Sequence, residues 1–144
     1  MKHRHFIKQL REDEVLAALR EAEGKTSGQI RIFVSHKKTD DAVSAAQKQF
    51  DRLGMARTRN RNAVLLFVAP EAHKFAVIGD TAVHEQCGDA FWQVLASELS
   101  GHFAKGEFTE GVVHGIRRAG GILATHFPVE ADGENELPDE IAHD

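Results

Sequence analysis

The sequence predicts an α/β fold: a three-layer α/β/α sandwich in which a short mixed sheet is flanked by about four helices. Three observations predict it. The stretch from Ala63 to Ala69 is apolar on both faces, as a central strand covered from both sides must be. The stretch from Gln29 to Ser35 alternates β-branched residues with others. It is joined to the first by a helix-length connection, which calls for a right-handed parallel crossover. Apolar residues also recur at helical spacing before, between and after these strands.

In chain order, Phe6, Ile7 and Leu10 form an N-terminal extension ahead of a helix from about Glu12 to Glu23. That helix carries Val15, Leu16, Leu19 and Ala22 on one face and acidic residues in its first turn, where the helix dipole favours them. Gly24 ends it, and Thr26-Ser27-Gly28 turns into the first strand, with Ile30, Ile32 and Val34 on one side and Arg31, Phe33 and Ser35 on the other. Asp40 or Asp41 caps a second helix with the stripe Val43, Ala46, Phe50 and Leu53, closed by Gly54. After the central strand, the link Pro70-Glu71-Ala72-His73 is too short for a crossover, so Lys74 to Gly79 is an antiparallel strand. Gly88 or Asp89 starts a third helix with Trp92, Leu95, Leu99 and Phe103 as its buried stripe. Thr109 caps the last helix, in which Val112, Val113, Ile116, Leu123 and Phe127 are apolar, and Pro128 ends it. Gly111, Gly115 and Ala119 fall four apart, which predicts tight packing on a neighbouring element rather than a dimer seam. The expected organisation is one domain over residues 1–128 and an acidic, disordered tail over 129–144.

Composition narrows the function classes. The chain has 144 residues and 42% hydrophobic content, enough for a core without disulfide or metal staples. Its net charge of -4 gives no electrostatic case for a nucleic-acid partner. The single cysteine cannot form an internal disulfide. The N-terminal charges lack an apolar run behind them, and no segment approaches the ~18 apolar residues of a membrane span. Cytoplasm is the expected compartment.

The densest set of reactive residue types is the segment Asp80 to Asp89, expected to be a loop between the third strand and the third helix. Asp80, Glu85 and Asp89 could supply oxygen ligands to a hard cation, Ca²⁺ or Mg²⁺. In the plainer reading they are a turn residue, a solvated charge and a helix cap. The spacing excludes an EF-hand. His84-x-x-Cys87 lacks the second ligand pair that a structural zinc site needs, unless His36 or His73 arrives through the fold. Cys87 as a nucleophile would need a base and a lowered pKa. Arg57, Arg59 and Arg61 make a basic polar loop suited to a phosphate or carboxylate, or to pairing with nearby carboxylates. No aromatic residues are interleaved there, which weakens a nucleic-acid role. No phosphate-cradling loop, nucleophile elbow or dinucleotide fingerprint is present. The candidate binding residues are therefore Arg57, Arg59, Arg61, Asp80 and His84.

Several stretches together carry a resemblance: Glu23 to Ile32, Arg61 to Ala69, Lys74 to Asp80, Phe91-Trp92, Phe103 to Gly111, and then Gly120 and Phe127-Pro128. Over roughly residues 12–128 the chain resembles the TPM domain family, named for a thylakoid protein, a photosystem II repair factor and a nematode receptor modulator. The resemblance implies an α/β/α sandwich. It also implies one of several roles held by different members: acid phosphatase activity, Ca²⁺ binding in a surface crevice, or assembly and repair of membrane complexes. Members commonly show a Gly-x-Gly turn after the third strand, whereas here Gly79-Asp80 is followed by Thr81. The expected function is an interaction or ligand-binding module for a protein partner or small ligand, and the alternative is a metal-assisted phosphatase.

Overall fold

A computed structural model describes residues 10–72, 74–129 and 141–144 of the chain. Helix α1 (Glu12–Glu23) leads into strand β1 (Gln29–Val34), helix α2 (Ala42–Arg52), strand β2 (Ala63–Ala69), strand β3 (Lys74–Gly79), helix α3 (Thr81–Ala104), helix α4 (Phe108–His126) and strand β4 (Ile141–His143). Short 3₁₀ turns, Met55–Arg57 and Pro70–Ala72, precede and follow β2. The four strands form one mixed sheet in the order β3-β2-β1-β4. As predicted, β1 and β2 are parallel across the α2 connection, with Ile30 opposite Val64, and β2 and β3 are antiparallel, with Leu66 opposite Val77.

The period-two alternation of the strands divides the core into two layers. Ile30, Ile32, Val34, Val64, Leu66 and Val68 face α1, α3 and α4, where they meet Leu19, Leu95, Leu99, Ile116 and Leu123. Phe33, Leu65 and Phe67 face the opposite way, toward Ala46 and Phe50 of α2 and Met55. Every residue of β2 is buried, which explains its unbroken apolar run. The small residues of α4 serve packing. A Cβ on Gly111 would meet Phe103 at 2.8 Å, and one on Gly115 would meet Leu66 at 3.3 Å. At Gly120 it would meet Ala22 of α1 at 2.7 Å. Gly120→Val should therefore wedge α4 off α1 and cost about 1–3 kcal/mol, read as a lowered urea midpoint. An unchanged midpoint would mean that the two helices can move apart freely.

Four local expectations are corrected. First, the segment Asp80 to Asp89 is not a loop. Asp80 is the N-cap and α3 begins at Thr81, with its interruption at Gly88 (φ 71°, ψ 176°). The Gly88-Asp89 pair reads as a helix start in sequence, but only glycine adopts this backbone readily, and here it kinks a helix already under way. Second, Val43 is 61% exposed, and the buried face of α2 is Ala42, Ala46 and Phe50. Asp41, whose side chain accepts the Ser44 N–H, sets that phase. Third, α4 starts at Phe108, and Thr109 lies within it, its hydroxyl accepting the Arg11 N–H at 3.0 Å.

Fourth, the last residues of the stretch expected to be a disordered tail join the sheet as β4. Ile141, Ala142 and His143 pair parallel to Ile32, Phe33 and Val34, because the outer edge of β1 offers unsatisfied backbone groups to any strand that reaches it. Residues 130–140 lie outside the described residues, as do Phe6 and Ile7. Leu10 is buried, as the N-terminal packing expectation required. Among the described residues, no helix is long and apolar enough to cross a membrane.

Candidate functional site

The strand register brings Arg61 and Asp80 together. Gln29 sits opposite Ala63 and Val64 opposite Gly79, so the residue pair just before β2 and the cap just after β3 meet at the amino end of the parallel strands. The Asp80 N–H donates to the Ala63 carbonyl at 2.9 Å, and the Ala82 N–H to the Arg61 carbonyl at 3.2 Å. Arg61 holds a left-handed backbone (φ 51°), an unfavourable state for a non-glycine residue that these contacts enforce. Its side chain then grips Asp80 with both arms of the fork, Nε to Oδ2 at 2.8 Å and Nη2 to Oδ1 at 2.8 Å. The Thr81 N–H adds a third bond to Oδ1 at 2.7 Å. The Asp80 side chain is 3% exposed and that of Arg61 48%, so a buried carboxylate anchors a guanidinium that faces solvent. The hydrogen bonds that Arg61 donates to Asp80 push its pKa up, and its charge is permanent.

This pair forms one wall of a cleft of about 340 Å³. Thr81, His84 and Glu85 of α3 line it beside them, and Gln47 and Asp51 of α2 close the other side. Of the sequence candidates, Arg61, Asp80, His84 and Glu85 are therefore brought together. Arg57 and Arg59 are exposed and do not line the cleft. Asp89 lies in α3 beyond the Gly88 kink, and its side chain is outside the described residues. Gln47 and Asp51 were missed. They fall one turn apart on α2, bonded to each other at 3.4 Å, a spacing that shows only a polar helix face until the cleft is built.

The arrangement does not fit a cation at Asp80. Both carboxylate oxygens are already engaged by a guanidinium and a backbone N–H, so the positive charge is supplied internally. Among the described residues no three histidine, cysteine or acidic side chains gather at metal-binding distance. Burial pushes the Cys87 thiol pKa up, opposite to what a nucleophile requires.

A second cleft, of about 580 Å³, lies between α1 and α4. Most of its charged groups are already paired. Arg11 bridges Glu14 at 2.8 Å and Glu110 at 2.9 Å, His102 pairs with Glu107 at 3.0 Å, and His114 with Glu98 at 3.1 Å. Burial pushes the Glu98 carboxyl up, but His114 and Arg118 outweigh it and hold the group below its ordinary value. The Arg61–Asp80 cleft, where a fixed guanidinium still faces outward, is the stronger candidate.

Comparison with known proteins agrees with this architecture. A protein from the psychrophilic bacterium Bizionia argentinensis, BA42, has a solved structure that superposes with a TM-score of 0.84 at 34% identity, covering 92% of each chain. The N-terminal domain of a protein from P. gingivalis shares the fold, with a TM-score of 0.59 at 16% identity over 77% of this chain and 72% of that one. No curated protein matches the chain. The family model for the TPM domain matches residues 1–122, and the chain belongs to the TPM domain family.

Proposed function

We propose that this TPM domain is a ligand-binding module whose recognition site is the Arg61–Asp80 cleft, with Arg61 meeting an anionic group of the ligand. One observation carries the reading: a buried aspartate holds the Arg61 fork rigid while the outer guanidinium N–H groups stay in solvent. A pre-oriented donor loses little side-chain freedom on binding, which is how affinity is gained without a large interface. Thr81 and His84 add a hydroxyl and an imidazole on the same wall. The lone Cys87 fits a reducing compartment such as the cytoplasm.

The test is thermal unfolding of the full chain with phenyl phosphate, with and without Ca²⁺ or Mg²⁺, while phenol release is followed. Binding at 100 times the dissociation constant adds about 2.7 kcal/mol of stability. That gain should persist without divalent ions and vanish in Arg61→Gln. If phenyl phosphate gives no stabilisation at millimolar concentration, or stabilises Arg61→Gln equally, the cleft is not an anion site. Divalent-dependent phenol release lost in Glu85→Gln would replace the binding reading with phosphomonoester hydrolysis.

A further inference from the structure

The carboxyl end of β1 is built like a receptor for a carboxylate. Ser35 is 4% exposed, and its hydroxyl donates to Asp144 Oδ2 at 2.6 Å. The backbone N–H of His36 donates to Oδ1 at 2.8 Å, and His36 Nδ1 pairs with the same oxygen. Burial pushes the Asp144 carboxyl up, but these hydrogen bonds outweigh it and hold the group below its ordinary value. The Ser35 hydroxyl also accepts the Lys37 N–H at 3.2 Å, which fixes its orientation. Open α/β sheets place ligands outside the carboxyl ends of their strands, and the Arg61–Asp80 cleft lies at the other end. With β1 six residues long, the two sites stand about 20 Å apart.

The segment filling this receptor is held lightly. β4 has only three residues, Ile141 and Ala142 remain partly accessible, and His143 is exposed. Ile141 touches one core layer and Ala142 the other. A strand this short opens at far lower free energy than the sheet it joins. Opening leaves the backbone groups of Ile32 and Val34 on the β4 side of β1 unpaired, beside the exposed His36, Lys37 and Lys38. The two residues that precede β4 in sequence, Asp139 and Glu140, are acidic, opposite in sign to Lys37 and Lys38.

The geometry points to a peptide-docking site at the β1 edge, with β4 and Asp144 as its displaceable internal ligand. The partner it fits is an extended segment of another protein, running parallel to β1, with a β-branched residue three positions before an aspartate and acidic residues upstream. Backbone pairing supplies affinity, and the Ser35–His36 clamp reads the carboxylate.

The experiment measures fluorescence anisotropy of a labelled heptapeptide of sequence Pro-Asp-Glu-Ile-Ala-His-Asp with the full chain. Wild type binds weakly, because the internal strand competes. Asp144→Ala, which weakens the competitor, should bind about tenfold tighter or better, since apparent affinity scales with the fraction of open sites. A peptide ending in asparagine should lose most of that affinity, and Ser35→Ala combined with Asp144→Ala should lose it as well. Circular dichroism melts of each variant separate loss of the site from loss of the fold. Equal peptide affinity for wild type and Asp144→Ala, or no binding to a folded Asp144→Ala chain, overturns the proposal and leaves β4 as a plain cover for a sheet edge. Concentration-dependent dimers of Asp144→Ala that exclude the peptide would assign the edge to exchange between copies of this chain and overturn it too.

Discussion

Phe67→Ala should be among the most damaging single substitutions in the chain, costing about 3–5 kcal/mol. Phe67 is buried in the middle of β2, and its ring stacks on Phe33 of β1 at 5.7 Å with 6° between the planes. Removing it strips the layer between the sheet and α2 of one of its three phenylalanine rings. Of the side chains in that layer, Ala46, Ala63 and Ala69 are too short to fill the void. A native domain has only about 5–15 kcal/mol in hand, so the variant should lose a large part of its stability. Urea unfolding followed by circular dichroism reads the loss. Phe67→Leu, which keeps most of the volume, should cost well under half as much. Equal costs for the two would show that the α2 layer collapses onto the sheet and that β2 is not its rigid centre.

The legibility of the fold in sequence follows from the same packing. β2 could be read because being buried on both faces leaves no place for a polar residue, and β1 because its two faces meet two separate apolar layers. Their parallel pairing followed from the length of the α2 connection alone. Features that depend on one residue choosing between two local roles were not legible. Gly88-Asp89 has the chemistry of a helix start, yet Asp80 had already capped α3 eight residues earlier. β4 could not be seen at all, since three residues are too few for any periodicity, and its partner is more than a hundred residues away. The site was half legible. Arg61, Asp80, His84 and Glu85 were picked for their chemistry, but nothing in sequence separates Arg61 from Arg57 and Arg59. The left-handed turn that aims Arg61 at Asp80 is held by a local backbone bond to Thr58 and by one from Ala82, and the second exists only after β2 and β3 pair.

That dependence makes the Arg61–Asp80 pair the place where fold and site should fail together. Asp80→Ala removes the cap of α3, a loss of about 0.5–2 kcal/mol, and it also removes the anchor that orients Arg61. Arg61→Ala does something different: it strands a carboxylate that is 3% exposed with only the Thr81 N–H to stabilise it. The double variant carries no stranded charge, so its destabilisation should be clearly smaller than the sum of the two single losses. Ligand stabilisation should disappear in all three. Asp80→Asn keeps an acceptor for the cap but gives up the charge, so it should retain most of the stability and lose the orientation of Arg61. Chemical denaturation of the four proteins, each with and without phenyl phosphate, reads both effects at once. Strictly additive single costs would mean that the pair is a surface contact of no structural weight. A folded Asp80→Asn chain that bound phenyl phosphate as tightly as wild type would show that Arg61 needs no anchor to recognise an anion.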